Sequence, residues 1–173
     1  MKTSIKKILF LNISILIMTV LIITGCKQKS HASNELKPLA YKYVEVWNSG
    51  NLGELDSIID LNFVYHSNQS PVVNGIDGLK KVITGFRAAF PDMKLVFTDE
   101  IYSENEASCI WSLTGTNTGQ GAMRSTGKPI KMWGTSVFHF VNGKITGEWT
   151  AFDNLSILNQ LRSKMKTSYK KHK

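Results

Sequence analysis

Apolar residues recur every three to four positions through the first half of the chain and every second position through the last half, and the period changes at Pro91. Asn34 can cap a helix in which Leu36, Leu39, Tyr43, Val46 and Trp47 keep helical spacing until the Asn48 to Gly50 break. Asn51 can cap a second helix with Leu52, Leu55, Ile58 and Ile59 on one side, completing a helical hairpin. Phe63, Val64, Tyr65 and His66 read as a short strand. Gly75 to Gly78 lead into a third helix through Leu79, Val82, Ile83, Phe86 and Phe90, stopped by Pro91, which cannot continue it. Beyond it the spacing predicts four long strands rich in β-branched and aromatic residues: Met93 to Glu104, Ala107 to Asn117, Ile130 to Val141 and Lys144 to Asp153. Asn142-Gly143 is the strongest hairpin signal, because both turn positions need positive φ. Glu104 to Glu106 is a tight connection, Thr118 to Lys128 a longer polar loop, and a helix over Leu155 to Lys166 closes the chain. Helices followed by an antiparallel meander make the class α+β, with helices on one face of a curved sheet.

The first residues follow a different logic. Lys2, Lys6 and Lys7 precede a mostly aliphatic run from Ile8 to Ile23, interrupted by Asn12 and Ser14. A membrane span needs about 20 apolar residues, so length argues against an uncleaved transmembrane helix and for a signal peptide. Ile23, Thr24, Gly25 and Cys26 resemble the lipobox of bacterial lipoproteins. The expected organisation is a signal peptide over 1–25, a tether over 26–34, a domain over 35–166 and a basic tail over 167–173. Lipid on Cys26 would hold the protein in the cell envelope, at the outer face of the cytoplasmic membrane or in the periplasm.

Charge changes this picture little. Without residues 1–25 the chain has 148 residues, enough for one domain with a real core. The formal charge of +8 shrinks once Lys2, Lys6 and Lys7 leave, and six of the remaining basic residues crowd between Arg162 and Lys173. The body is close to neutral. A basic tail on a tethered protein can lie against anionic headgroups or stay solvated. Nucleic acid is not expected as a partner, since an exported protein meets little of it and no aromatic and basic residues interleave. Cys109 is the only other cysteine, so no internal disulfide forms if Cys26 is acylated. His66, His139 and Asp153 have no metal-ligand spacing, and no Gly-x-Ser-x-Gly elbow is present.

The segments Glu45-Val46-Trp47-Asn48-Ser49-Gly50-Asn51-Leu52, Gly78-Leu79 through Phe86-Arg87-Ala88-Ala89-Phe90-Pro91-Asp92, Trp111 through Gly115-Thr116-Asn117-Thr118-Gly119, Gly134 through Phe138, and Glu148-Trp149 followed by Asp153-Asn154-Leu155 carry a resemblance. Over about 35 to 162 the chain resembles the polyketide-cyclase-like ester cyclases, the SnoaL-like branch of the nuclear-transport-factor-2-like superfamily. The resemblance implies a cone of curved sheet wrapped by helices around a blind apolar pocket. It also implies an intramolecular aldol ring closure with no metal or cofactor, and a homodimer in many members. In those cyclases a carboxylate just before the final helix serves as acid and base, and the matching position is Asp153. Such a base must return the proton it takes, so burial should lift its pKa toward neutrality. Alternation places Trp149, Ala151 and Asp153 on one strand face. The other reading of Asp153 is an N-cap for the closing helix. His139 matches a strand position facing the pocket, and Trp47 a first-helix residue lining it. Trp111, Trp133 and Trp149 are candidate aromatic walls or core residues, and His66 a candidate at the rim. Asn117 stands where many relatives carry histidine at the pocket mouth.

Two functions from different classes follow. One is a cofactor-free cyclase, isomerase or dehydratase acting through Asp153 and His139 on a small apolar carbonyl or ester compound. The other is a non-catalytic envelope lipoprotein that holds a small apolar molecule in the same pocket, since fold does not imply function.

Overall fold

The computed structural model describes residues 29–121 and 124–162, the first six of them as backbone only. The expected signal peptide, Cys26 and the tail at 167–173 lie outside the described residues. The element order is α1 (Lys29–Ser49), a 3-10 turn (Leu52–Glu54), α2 (Leu55–Ile58), β1 (Ile59–Ser67), β2 (Ser70–Asn74), α3 (Gly75–Ala89), β3 (Lys94–Tyr102), β4 (Glu106–Thr116), β5 (Pro129–Val141), β6 (Lys144–Phe152) and α4 (Asn154–Leu161). Among the described residues no helix is long and apolar enough to cross a membrane.

Several expected boundaries move. Helix α1 already runs at Lys29, so residues 29–34 of the expected tether are helical and Asn34 lies inside the helix. Asn51 precedes the 3-10 turn without a side-chain cap bond. The second helix is a single turn, because Ile59 is already extended and opens β1. Strand β2 was not legible: Pro71 and exposed polar residues fit only the sheet edge it occupies. The closing helix ends at Leu161, where Arg162 leaves helical geometry.

The strands form one curved sheet in the order β2-β1-β6-β5-β4-β3. The meander from β3 to β6 is antiparallel as expected, with Asn142 and Gly143 both at positive φ in the last hairpin. The fully antiparallel sheet is corrected in one place, since β1 pairs parallel with β6. Parallel neighbours need a long crossover, and here everything between β1 and β6 supplies it. Helices α1, α3 and α4 cover the concave face, where Tyr43, Leu79, Ile83, Phe138 and Ile157 are buried with the inward residues of the strands.

Free backbone groups along the sheet rim are met by amide side chains. Asn48 at the end of α1 donates from Nδ2 to the Leu95 carbonyl at 2.9 Å and accepts the Leu95 N–H at 2.7 Å. Gln160 on α4 does the same for Lys131 on β5, at 3.0 and 2.9 Å. Each imitates a neighbouring strand where none exists, and each pins a helix to the sheet.

The register of β6 decides what faces inward. Pairing passes from His139↔Gly147 to Phe140↔Ile145, which leaves Thr146 as an extra residue in β6. A bulge of one residue inverts the facing of everything beyond it. Ile145 is therefore buried, and past the bulge Glu148 and Thr150 turn inward while Trp149 and Ala151 turn outward.

Replacing Asn48 by alanine removes both bonds to Leu95 and leaves a strand N–H and carbonyl unmet. The expected cost is roughly 2 kcal/mol. Urea unfolding checks it: the midpoint should fall with an unchanged slope.

Candidate active site

Buried polar chemistry on the concave face centres on Glu148. Its Oε2 accepts a hydrogen bond from the Tyr43 hydroxyl of α1 at 2.5 Å, and its Oε1 accepts one from Ser136 of β5 at 2.7 Å. The Trp111 indole of β4 donates to Ser136 Oγ at 3.0 Å. Thr150 Oγ1 lies 3.0 Å from the same oxygen and donates to the Thr135 carbonyl at 3.2 Å. The chain indole to serine to carboxylate fixes the donor direction: Ser136 accepts from Trp111 and gives its single proton onward. Gly134 makes this possible, since a Cβ there would collide with the Trp111 ring that crosses β5.

Burial pushes the Glu148 carboxyl up to about 7, against the two hydroxyl bonds that favour its charged form. Burial and the neighbouring carboxylate together hold the Tyr43 phenol well above its ordinary value, so it remains a donor. Cys109 is also buried, and its thiol is pushed up to about 12 by desolvation, which leaves it unreactive.

An internal cavity of about 40 Å³ opens beside this network. Tyr43, Trp47, Phe86, Trp111, Phe138 and Phe152 supply its aromatic walls, with Tyr65, Ser136, Glu148 and Thr150 also on the lining. Edge-to-face contacts brace these rings, with centroids 5.4 Å apart for Tyr43 and Phe138 and 5.6 Å for Trp47 and Phe86. A second cavity of about 320 Å³ lies between α3, β1 and α4 and shares Tyr65, Phe86 and Phe152 with the first. Those three side chains are the partition between an inner chamber and a larger vestibule.

The expected site residues divide between the two sheet faces. Trp47 and Trp111 line the inner cavity. Asp153 does not: its exposed carboxylate accepts from the Ser156 N–H at 3.0 Å and caps α4, beside Trp133 in an outer groove. The expected inner face of Trp149, Ala151 and Asp153 is corrected, because the Thr146 bulge turns that set outward. Trp149 is 45% exposed and Trp133 71% exposed. His66 stacks on the outer side of Trp149 at 4.3 Å, and His139 leans against the same ring at 4.6 Å with Nδ1 3.6 Å from Glu106. Both histidines are thus directed away from the cavity. Asn117 is fully buried, but its amide is engaged by the loop that follows: Nδ2 donates to the Ala89 carbonyl, and Oδ1 accepts from Thr126 N and Oγ1. It holds the loop instead of lining the cavity.

Sequence reasoning passed over Glu148, Tyr43 and Ser136 as functional groups. In the sequence Tyr43 is legible only as part of a helical apolar stripe. Glu148 shows no signal in a strict alternation anchored on Ile145 or Trp149, since only the bulge brings it inside. Among the described residues no group of three or more His, Cys, Asp or Glu side chains converges as a metal-ligand set.

Comparison with known proteins agrees with the fold. A family model described as SnoaL-like polyketide cyclase matches residues 38–161. A candidate polyketide cyclase from Acidithiobacillus ferrooxidans is 29% identical, with a TM-score of 0.67 over 74% of this chain and 94% of that one. One from Bacillus cereus is 25% identical, with a TM-score of 0.65 over 73% and 80% of the two chains. A SnoaL-like candidate cyclase from Jannaschia is 13% identical with a TM-score of 0.73, covering 80% of this chain and 99% of that one, a likeness of fold alone. No curated protein matches the chain.

Glu148 should make stability depend on pH. Its carboxyl titrates near 7 folded and near 4.5 otherwise, so between those values the folded state binds a proton that the unfolded state has lost. Stability should therefore be fully present below about 4.5 and decline as pH rises through 7, by on the order of 3 kcal/mol. Glu148→Gln should flatten that decline. Chemical denaturation of both forms from pH 5 to 8 checks it, and parallel curves would show that the buried carboxyl is not the titrating group.

Proposed function

The chain belongs to the SnoaL-like polyketide cyclase family, and from that premise we propose that it is an acid–base catalyst for a small apolar carbonyl or ester compound, with Glu148 moving the proton. The observation that carries this reading is a single buried carboxyl, lifted to about 7, on the wall of an aromatic cavity. In its charged form Glu148 takes a proton from the carbon α to a carbonyl. The C–H electron pair becomes the enolate, whose carbon attacks a second carbonyl of the same molecule. The protonated Glu148 then returns its proton to the new alkoxide, so the cycle needs no cofactor. Tyr43 and Ser136 hold both carboxyl oxygens and set the base in place. A pKa near the working pH suits a group that must both take and give.

Size constrains the substrate. About 40 Å³ admits only a small reacting group, whereas the adjoining vestibule of about 320 Å³ brings the combined space into the range of ordinary small-molecule sites. A compound with a compact carbonyl head and an apolar body fits this division. The same closed chamber favours the competing reading of a non-catalytic carrier, which would hold a ligand without exchanging its protons.

The amino-terminal pattern supports a place of action at the cell envelope, with lipid on Cys26 and, in addition, the basic tail against anionic headgroups. The outward sheet face, where Val96, Ile110 and Trp133 are exposed, is the surface a homodimer would cover.

Two expectations follow. Wild type should exchange the α-protons of an activated methylene ester such as ethyl acetoacetate with deuterium, more rapidly as pH rises through 7. Glu148→Gln should lose at least a hundredfold of that rate, while Asp153→Asn, still an N-cap, should retain it. Nuclear magnetic resonance of the ester follows the exchange. No exchange by wild type across an ester panel would leave the carrier reading. Separately, Cys26→Ser should abolish incorporation of a fatty-acid analogue in cells, and label persisting in the variant would end the lipoprotein reading.

A further inference from the structure

Each polar side chain around Glu148 has a partner except one. Tyr43 and Ser136 donate to the carboxyl, Trp111 to Ser136, and Thr150 to the Thr135 carbonyl. Trp47 Nε1 is sealed from solvent and, among the described residues, is the one buried side-chain nitrogen or oxygen that meets no hydrogen-bond partner. The ring belongs to the cavity wall, and Trp47 as a whole is 7% exposed. It sits one helical turn past Tyr43, with ring centroids 6.3 Å apart. Its N–H lies near enough to the Tyr43 hydroxyl to favour the phenolate slightly, but without the geometry of a hydrogen bond. An indole nitrogen can donate and cannot accept.

We propose that Trp47 Nε1–H receives the oxygen of a ligand carbonyl and thereby orients the adjacent C–H toward Glu148. This deepens the function proposed above and rests on it for the chemistry, though not for the binding. A buried donor left unmet disfavours the empty site, and an acceptor oxygen on a ligand recovers that free energy. The donor also selects chemistry. An ammonium group has no counterpart at Trp47, whereas a ketone or ester oxygen does. The donor to the oxygen and the base for the carbon come from two elements, α1 and β6, on one chamber. As the C–H bond breaks, negative charge grows on the carbonyl oxygen. A fixed N–H there stabilises the enolate more than the ketone from which it forms. The donor therefore favours a ligand that carries a carbonyl oxygen into the inner chamber over a hydrocarbon of the same shape, and Glu148 confines turnover to carbonyls with an adjacent C–H.

Cyclopentanone and methylenecyclopentane test this, because they differ only in an oxygen replaced by a methylene group. On the full-length chain labelled with nitrogen-15, cyclopentanone should move the Trp47 indole proton resonance downfield and methylenecyclopentane should not. Trp47→Phe identifies that resonance and should weaken cyclopentanone binding by about fivefold to tenfold, leaving methylenecyclopentane unchanged. Glu148→Gln should keep the preference for the ketone. Equal affinity for the two probes, binding of neither, or a ketone that binds without moving the Trp47 resonance would each overturn the proposal, and the first two readings need no folded variant. The two levels fail separately. Ketone binding at Trp47 with no deuterium exchange by wild type removes the catalytic function and leaves the carbonyl site. Exchange that is indifferent to Trp47→Phe, in both KM and kcat, removes the carbonyl site and leaves Glu148 as the base.

Discussion

One buried carboxyl ties the domain together. Glu148 receives α1 through Tyr43 and β5 through Ser136, and Ser136 in turn receives β4 through Trp111. Two elements thus meet the two carboxyl oxygens, and a third is joined to them through Ser136. Desolvating a carboxylate is costly, and each hydroxyl offsets part of that cost only if it is held at the right distance. The requirement propagates outward: Gly134 must lack a side chain so that Trp111 can reach Ser136, and α1 must sit where Tyr43 can reach β6. The amide clasp of Asn48 on Leu95 secures the far end of the same helix.

The arrangement is polar enough to keep the carboxyl chargeable and apolar enough to keep it reluctant. Two hydroxyl donors favour the anion; the surrounding rings remove water and favour the acid. The outcome near neutrality is a balance between these, and it differs from the surface carboxylates of the same chain. Asp92, exposed, is held low by the backbone and hydroxyl of Thr116, and Glu100 is held low by Lys37 and two tyrosines despite partial burial. Asp92 ties the end of β4 to the approach to β3 and Glu100 ties β3 to α1, whereas Glu148 combines burial with a place on the chamber wall.

The aromatic residues follow the same division of labour. Phe86 and Phe152, with ring centroids 6.2 Å apart, stand between the chamber and the vestibule. Phe86 comes from α3 and Phe152 from the end of β6. Trp133 and Trp149, equally large, serve the outer surface, and there Trp149 is flanked by His66 and His139.

Local pattern was sufficient for much of this. The helical stripes over α1 and α3, the period of two over β3 to β6 and the Asn142-Gly143 turn follow from the spacing of apolar residues and the φ angles a turn demands, which are properties of neighbours in the chain. Asp153 was legible as an N-cap, because capping needs only the next three residues, whereas Trp47 was placed on the pocket only by the resemblance and Trp111 stayed open between core and wall. The parallel pairing of β1 with β6, the edge strand β2 and the inward turn of Glu148 were decided by tertiary structure. The bulge at Thr146 shifts β6 by one residue against β5, so the parity that makes Trp149 appear internal applies only to a strand without it. A carboxyl is lifted toward neutrality only where α1, β4 and β5 meet around it. Periodicity along one strand states which residues share a face; which of the two faces is the inside depends on what the rest of the chain packs against it.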